Sequence, residues 1–372
     1  MLHRLRSLGL SVQVFETGSG VGGTWFWNRY PGAHCDVESM EYSYQFSKEL
    51  EQEWVWTERF ASQAEILRYL DHVVDRFDLR PYIRLETRVT SAVFDEAANR
   101  WLIATDRGDR LSAKFCIMAT GCLSSTNTPK FEGIESFAGR TFHTGRWPHE
   151  RVDFSGARVG IIGTGSSAIQ AIPVIAREAS HLYVFQRTPA YSVPAGNHLL
   201  DPETERQTKK NYTSLRRRGS EMPFGWDASV NEKSALQVSD EERRREYEAR
   251  WERGGLWFYG AFVDLLYSAE ANETAKNFFR NKIREIVRDP AVADLLTPQQ
   301  TFGCKRLCQD TGYYETFNRS NVNSRRRSQI ADRRDHAARF ANEGCGVSSR
   351  LDRVRYRFRC HDRDAAESRH SR

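Results

Sequence analysis

Five residues, Arg158-Val-Gly-Ile-Ile162, run directly into Gly163-Thr164-Gly165-Ser166-Ser167-Ala168. No other stretch constrains the fold as much. The apolar run reads as a buried strand, and Gly163 is where the chain must bend tightly. Gly165 lets the backbone approach a pyrophosphate, and Ala168 packs the next helix on the sheet. That helix is expected from Ser166 to Ala179, with the positive N-terminal end formed around Thr164, Ser166 and Ser167 facing phosphates. Pro173 lies inside it and predicts a kink. The next strand is expected at His181–Gln186. A protein that binds NAD places an acid near this point for the ribose 2′-hydroxyl. Here Arg187 and Thr188 stand instead, a cation and a hydroxyl suited to a 2′-phosphate, so the unit is read as binding NADP. A glycine turn alone signifies only a tight bend. The register of strand, helix and Arg187-Thr188 makes the nucleotide reading.

Part of a second such unit opens the chain. Ser11-Val-Gln-Val-Phe-Glu16 reads as a strand with Glu16 placed for an adenosine ribose. Leu2, Leu5 and Leu8 precede it at helical spacing, and Gly9 reads as the helix end. The first strand of that unit and its glycine turn are expected upstream, so the chain is expected to begin in mid-helix. The opening residues lack the pattern of a signal peptide, since Gln13 and Glu16 interrupt the apolar run.

Longer motifs carry a resemblance. Phe137-x-Gly139-x3-His143-x3-Trp147-Pro148 lies just ahead of the glycine turn, and Gly22-Gly23-Thr24-Trp25-x4-Tyr30-Pro31-Gly32-x3-Asp36 follows the first strand. Together these resemble the two signature motifs of the Baeyer–Villiger monooxygenases, a branch of the flavin- and NADPH-dependent monooxygenases. The segments around Tyr42, Trp56–Phe60 and Met118-Ala-Thr-Gly121 are similar to that family as well, the last to the strand and turn that leave its flavin domain. So is Thr301-Phe-Gly-Cys-Lys305-Arg306 with the residues to Arg319. The closest resemblance is to members that oxidise phenylacetone and cyclic ketones. It implies that Gly23, Thr24, Trp25 and Tyr42 lie along FAD and that Asp36 sits in the active site. It also implies that Lys305 meets the NADP 2′-phosphate while Arg306 stands over the flavin. A bare Lys-Arg dipeptide is ordinarily solvated surface, and only its flanks reverse that reading. Trp54 and Trp56 are read as core.

The resemblance covers residues 5–322 and implies an α/β fold with two interleaved Rossmann-like dinucleotide-binding domains. The divisions are 1–140 for a partial FAD domain and 141–322 for an NADP domain with a helical insertion at 197–289. In the insertion Ser239-Asp-Glu-Glu242 reads as a capping box opening a helix that stops at Gly254-Gly255. Ala275, Phe278, Phe279, Ile283, Ile286 and Val287 form one apolar stripe, ended by Asp289-Pro290. Residues 323–372 form an Arg-rich tail outside the resemblance, expected to be disordered or the product of a frame shift. The formal net charge of +6 resides in that tail, but interleaved acids and missing lysines argue against a nucleic-acid arm. No apolar run is long enough to span a membrane. The 7 cysteines form no C-x-x-C pair or metal spacing and read as reduced thiols in a cytoplasm.

The implied reaction uses NADPH, FAD and dioxygen to insert one oxygen next to a ketone carbonyl, giving an ester or lactone. Arg306 would stabilise negative charge on oxygen, and Asp36 would hold its guanidinium by a charge-assisted hydrogen bond. Two alternatives stay open: an N- or S-oxygenating flavin monooxygenase, and a non-catalytic truncated remnant. The chain as written is expected to behave as the remnant.

Overall fold

The computed structural model describes residues 1–129, 131, 133–222, 225–226, 229–326 and 344–348. Its first part runs α1 (Leu2–Ser7), β1 (Val14–Phe15), α2 (Thr24–Trp27), α3 (Lys48–Glu53), α4 (Gln63–Arg76), β2 (Ile83–Arg84), β3 (Val89–Asp95), β4 (Arg100–Thr105) and β5 (Arg110–Ala113). The second part runs β6 (Thr141–His143), β7 (Arg158–Ile162), α5 (Ser166–Glu178), β8 (His181–Gln186) and β9 (Ser192–Pro194). Helices α6 (Pro202–Lys210), α7 (Tyr212–Glu221), α8 (Asp240–Arg253), α9 (Ala269–Ile286) and α10 (Pro290–Leu296) follow. The chain then forms β10 (Cys308–Asp310), α11 (Tyr313–Thr316), β11 (Val322–Arg326) and β12 (Gly344–Ser348).

A parallel sheet of order β11-β8-β7-β12-β6 is the frame of the second part. Val159 and Ile161 of β7 and Leu182 and Val184 of β8 are fully buried, alternating with less buried neighbours as the strand period demands. Helix α5 covers them with Ala168, Ile169, Ile172, Pro173 and Ile175. Strands β7 and β8 run as expected, and α5 begins at Ser166 as expected but ends one residue early, at Glu178.

The insertion is helical as expected. Ser239 caps α8 by accepting from Glu242 N at 3.2 Å, and Gly254 ends it with φ +71. Only half of a capping box forms, because Glu242 Oε1 accepts from Lys233 Nζ at 2.5 Å instead of turning back. Replacing Ser239 by Ala should cost about 1 kcal/mol, seen as a lower urea midpoint at unchanged slope. On α9, Phe279 is fully buried against the rings of Tyr191, Phe258 and Phe302. Each such ring removed from water contributes about 1.5–3 kcal/mol.

Three expectations need correction, and one element was not expected. The first strand is not Ser11–Glu16: only Val14–Phe15 pair, with Ile83–Arg84, because β2 offers a two-residue partner. Met118–Gly121 form no strand, and Phe115, Ile117 and Met118 stand exposed, paired with no strand among the described residues. Ordered structure continues past residue 323: β11 extends to Arg326 beside β8, and β12 lies between β7 and β6. Parallel pairing needs only backbone N–H and C=O groups, which composition does not reveal. The remainder of that tail lies outside the described residues. Finally, the Phe137–Pro148 motif supplies a strand, β6, which the sequence reading did not assign.

Candidate active site

Two backbone segments meet to pair Asp36 with Arg306. The first is the turn Tyr30-Pro31-Gly32, docked on α5. Gly32 has φ +78, and a Cβ there would lie 2.5 Å from the Gln170 carbonyl oxygen. Only glycine allows both the left-handed backbone and that approach. Past the turn, Cys35 N donates to Ala61 O at 3.0 Å, fixing the residue next to Asp36. The second segment is β10, parallel to β9 with Gln309 opposite Val193. Just before it, Leu307 N donates to the Tyr259 hydroxyl at 2.6 Å, so the loop carrying Lys305 and Arg306 is tied at its end.

Arg306 Nη2 lies 3.0 Å from Asp36 Oδ2, with the arginine side chain 59% exposed and the aspartate 11%. The carboxylate is sheltered while the guanidinium is left open to a ligand. Gln309 Nε2 donates to the Asp36 main-chain carbonyl at 2.6 Å. Beside them, burial pushes the Cys35 thiol up to about 12, so it stays protonated and is no nucleophile.

Lys305 and Arg187 form a second cluster. The Lys305 ammonium is held below the usual lysine range, first by desolvation and then by the Arg187 charge, although the residue as a whole is exposed. No carboxylate pairs with either cation among the described residues. Nearby, Gly163 takes φ +107 at the bend, and Thr164 Oγ1 reaches Thr188 O at 3.4 Å. Helix α5 starts at Ser166 with no side-chain cap, leaving its first N–H groups for an anion. Ser166 Oγ lies 3.4 Å from the buried Cys308 sulfur, Ser167 is half-buried, and Ala168 packs in the core as expected.

The residues expected along a flavin lie near the other end. Glu16 follows β1 and accepts from Gly18 N at 2.7 Å. Gly23 precedes α2 at φ +50, where a Cβ would meet nothing within 4 Å, and Thr24 begins that helix. Trp25 Nε1 donates to the Tyr42 hydroxyl at 3.0 Å, ring edge to ring face. Burial raises the Tyr42 hydroxyl above its ordinary range. An acid after a strand, open backbone at a glycine and an edge-to-face aromatic pair offering one open ring face fit a ribose-bearing, planar cofactor. Trp56 is buried and Trp54 packs beside it, both as core.

Gln170, Gln309 and Tyr259 escaped the sequence reading. The available signal was Gly32, since a glycine after proline marks a close backbone approach. Among the described residues no group of acids, His and Cys could hold a metal, and no helix is long and apolar enough to cross a membrane.

The profile of the family described as "Pyridine nucleotide-disulphide oxidoreductase" matches residues 36–237. A "Baeyer-Villiger monooxygenase" of Pseudooceanicola batsensis is 43% identical over 354 residues, 94% of this chain and 63% of the relative. An "Oxidized steroid monooxygenase bound to NADP" superposes with TM-score 0.88 at 52% identity, over 94% of this chain and 68% of that one. The chain belongs to the Baeyer–Villiger monooxygenases. Another relative is the "Phenazine N-monooxygenase PhzNO1" of Lysobacter antibioticus, 41% identical over 327 residues, 87% of the chain and 60% of the relative. This Baeyer–Villiger chain thus spans about three fifths of the length of the curated relatives it matches. The two interleaved dinucleotide-binding units expected from its motifs are the fold of the family.

Proposed function

We propose that the protein is an FAD- and NADPH-dependent oxygenase that inserts one atom of dioxygen beside a ketone carbonyl, yielding an ester or lactone. The observation that carries this reading is the Arg306–Asp36 pair, a guanidinium held at 3.0 Å by a sheltered carboxylate yet open on its other side. Negative charge develops on oxygen during such an insertion, and a fixed cation stabilises it without reorganising. Asp36 keeps that cation in place by a charge-assisted bond.

Bound FAD would carry electrons from NADPH to dioxygen. Glu16 would accept from its ribose, Gly23 and Thr24 would approach its backbone-facing edge, and Trp25 and Tyr42 would flank it. For NADP, Gly163, Thr164, Gly165, Ser166, Ser167 and Ala168 form the bend and helix start that would face the pyrophosphate. Arg187, Thr188 and Lys305 would take the 2′-phosphate. The test follows from those two cations. In the FAD-loaded protein, Arg187→Ala should raise the KM for NADPH about 10- to 100-fold, the loss of one charge-assisted contact. The KM for NADH should stay nearly constant. Equal loss with both nucleotides would remove the 2′-phosphate assignment.

A second reading rests on the relative named for phenazine N-oxidation. An electron-rich ring nitrogen in place of the ketone would take the same oxygen atom. Product analysis with a cyclic ketone and with phenazine, side by side, separates the two. Cys35, Cys116, Cys122, Cys304 and Cys308 form no disulfide, which supports placing the protein in the reducing cytoplasm.

A further inference from the structure

We propose that Gln170 is a positioning residue that sets the Asp36 carboxylate and, through it, the Arg306 guanidinium; the proposal rests on the roles given to those two residues above. Gln170 lies on α5, in the sequence unit that follows the glycine bend, whereas Asp36 belongs to the opening unit. Its amide uses every hydrogen-bonding direction toward that unit. Oε1 accepts from the Tyr30 hydroxyl at 2.8 Å and from His34 N at 3.4 Å. Nε2 donates to His34 O at 3.2 Å and to Asp36 Oδ1 at 3.4 Å.

The two oxygens of Asp36 are thereby divided, Oδ1 toward Gln170 and Oδ2 toward Arg306. With Gln309 holding the Asp36 main-chain carbonyl, both the peptide and the carboxylate plane are restrained. Of the side chains of this length, only glutamine offers two donors and two acceptors at one tip. Glutamate keeps the acceptors and loses both donors, and methionine loses all four. The Gly32 backbone pressed on the Gln170 carbonyl brings the loop near enough for the amide to reach. The orientation of Asp36 is therefore referenced to α5, whose N-terminal end is the proposed nucleotide contact.

The test needs no turnover. In the full chain with 15N-labelled arginine and no nucleotide added, the Arg306 Nε–H signal is assigned by its loss in Arg306→Lys. Its exchange with solvent is then compared in Asp36→Asn, Gln170→Met and Gln170→Glu. Release of a half-exposed ion pair should speed exchange about two- to fivefold, and both Gln170 variants should match Asp36→Asn. A Gln170 that merely fills space would lower the melting temperature and leave the Arg306 signal where it was. That result, with Asp36→Asn still moving the signal, overturns the proposal alone. If Asp36→Asn moves nothing, the Asp36–Arg306 pairing itself is wrong and the proposal falls with it. Should Gln170→Met fail to fold, Gln170→Glu decides, since it retains the bonds from Tyr30 and His34.

Discussion

Ketone oxygenation should fall about 100- to 1,000-fold when Arg306 is replaced by Ala, the usual cost of removing one preorganised stabiliser of developing charge. Reduction of bound flavin by NADPH under nitrogen should persist, because hydride transfer builds no such charge on oxygen. The structure gives the reason for so large an effect. Arg306 is aimed by Asp36 at 3.0 Å and by the Leu307–Tyr259 bond next to it, so water entering the vacated space supplies no equally fixed cation. Stopped-flow reduction without oxygen, set beside ester yield in air, measures the two halves separately. Near-normal oxygenation in this variant would mean that Arg306 is only another nucleotide contact.

The second large effect is on stability. Gly32→Ala should cost about 2–4 kcal/mol, combining a left-handed backbone for a residue with a Cβ and a collision with the Gln170 carbonyl. Gly156 is the internal control. It has φ +72, but a Cβ there meets nothing within 4 Å, so Gly156→Ala should show the backbone strain alone, about 1–2 kcal/mol. Urea unfolding of both variants reads the difference. Equal losses at the two positions would rule out the close approach at Gly32.

Local signals were legible in the sequence and non-local pairings were not. Strands β7 and β8 and helix α5 follow from an apolar run, a glycine bend and the small residue Ala168, signals that lie within or beside the elements they announce. The Ser239 cap and the Phe278–Phe279 stripe are of the same kind. By contrast, β6 and β12 become strands only by pairing with each other and with β7, and nothing in their short sequences announces the partner. The same logic divides the site. Asp36, Lys305, Arg306 and Arg187 were found through motifs and through the chemistry of charge. Gln170 was invisible, because a polar residue on a helix otherwise lined by Ala168, Ile169, Ala171 and Ile172 reads as its solvent side until a loop 136 residues away is laid against it.

That seam has a mechanical consequence. By sequence Asp36 belongs with the opening unit, but Gly32 and Gln170 leave the turn and α5 no slack, so the loop travels with the helix. Any rotation of the two units that preserves the Asp36–Arg306 pair must therefore hinge elsewhere. Between β5 and β6, Gly121 and Gly133 both take positive φ, the left-handed region that favours glycine. The Asp36–Arg306 pair is thereby tied at once to α5 through Gln170 and to the segment leading into β10.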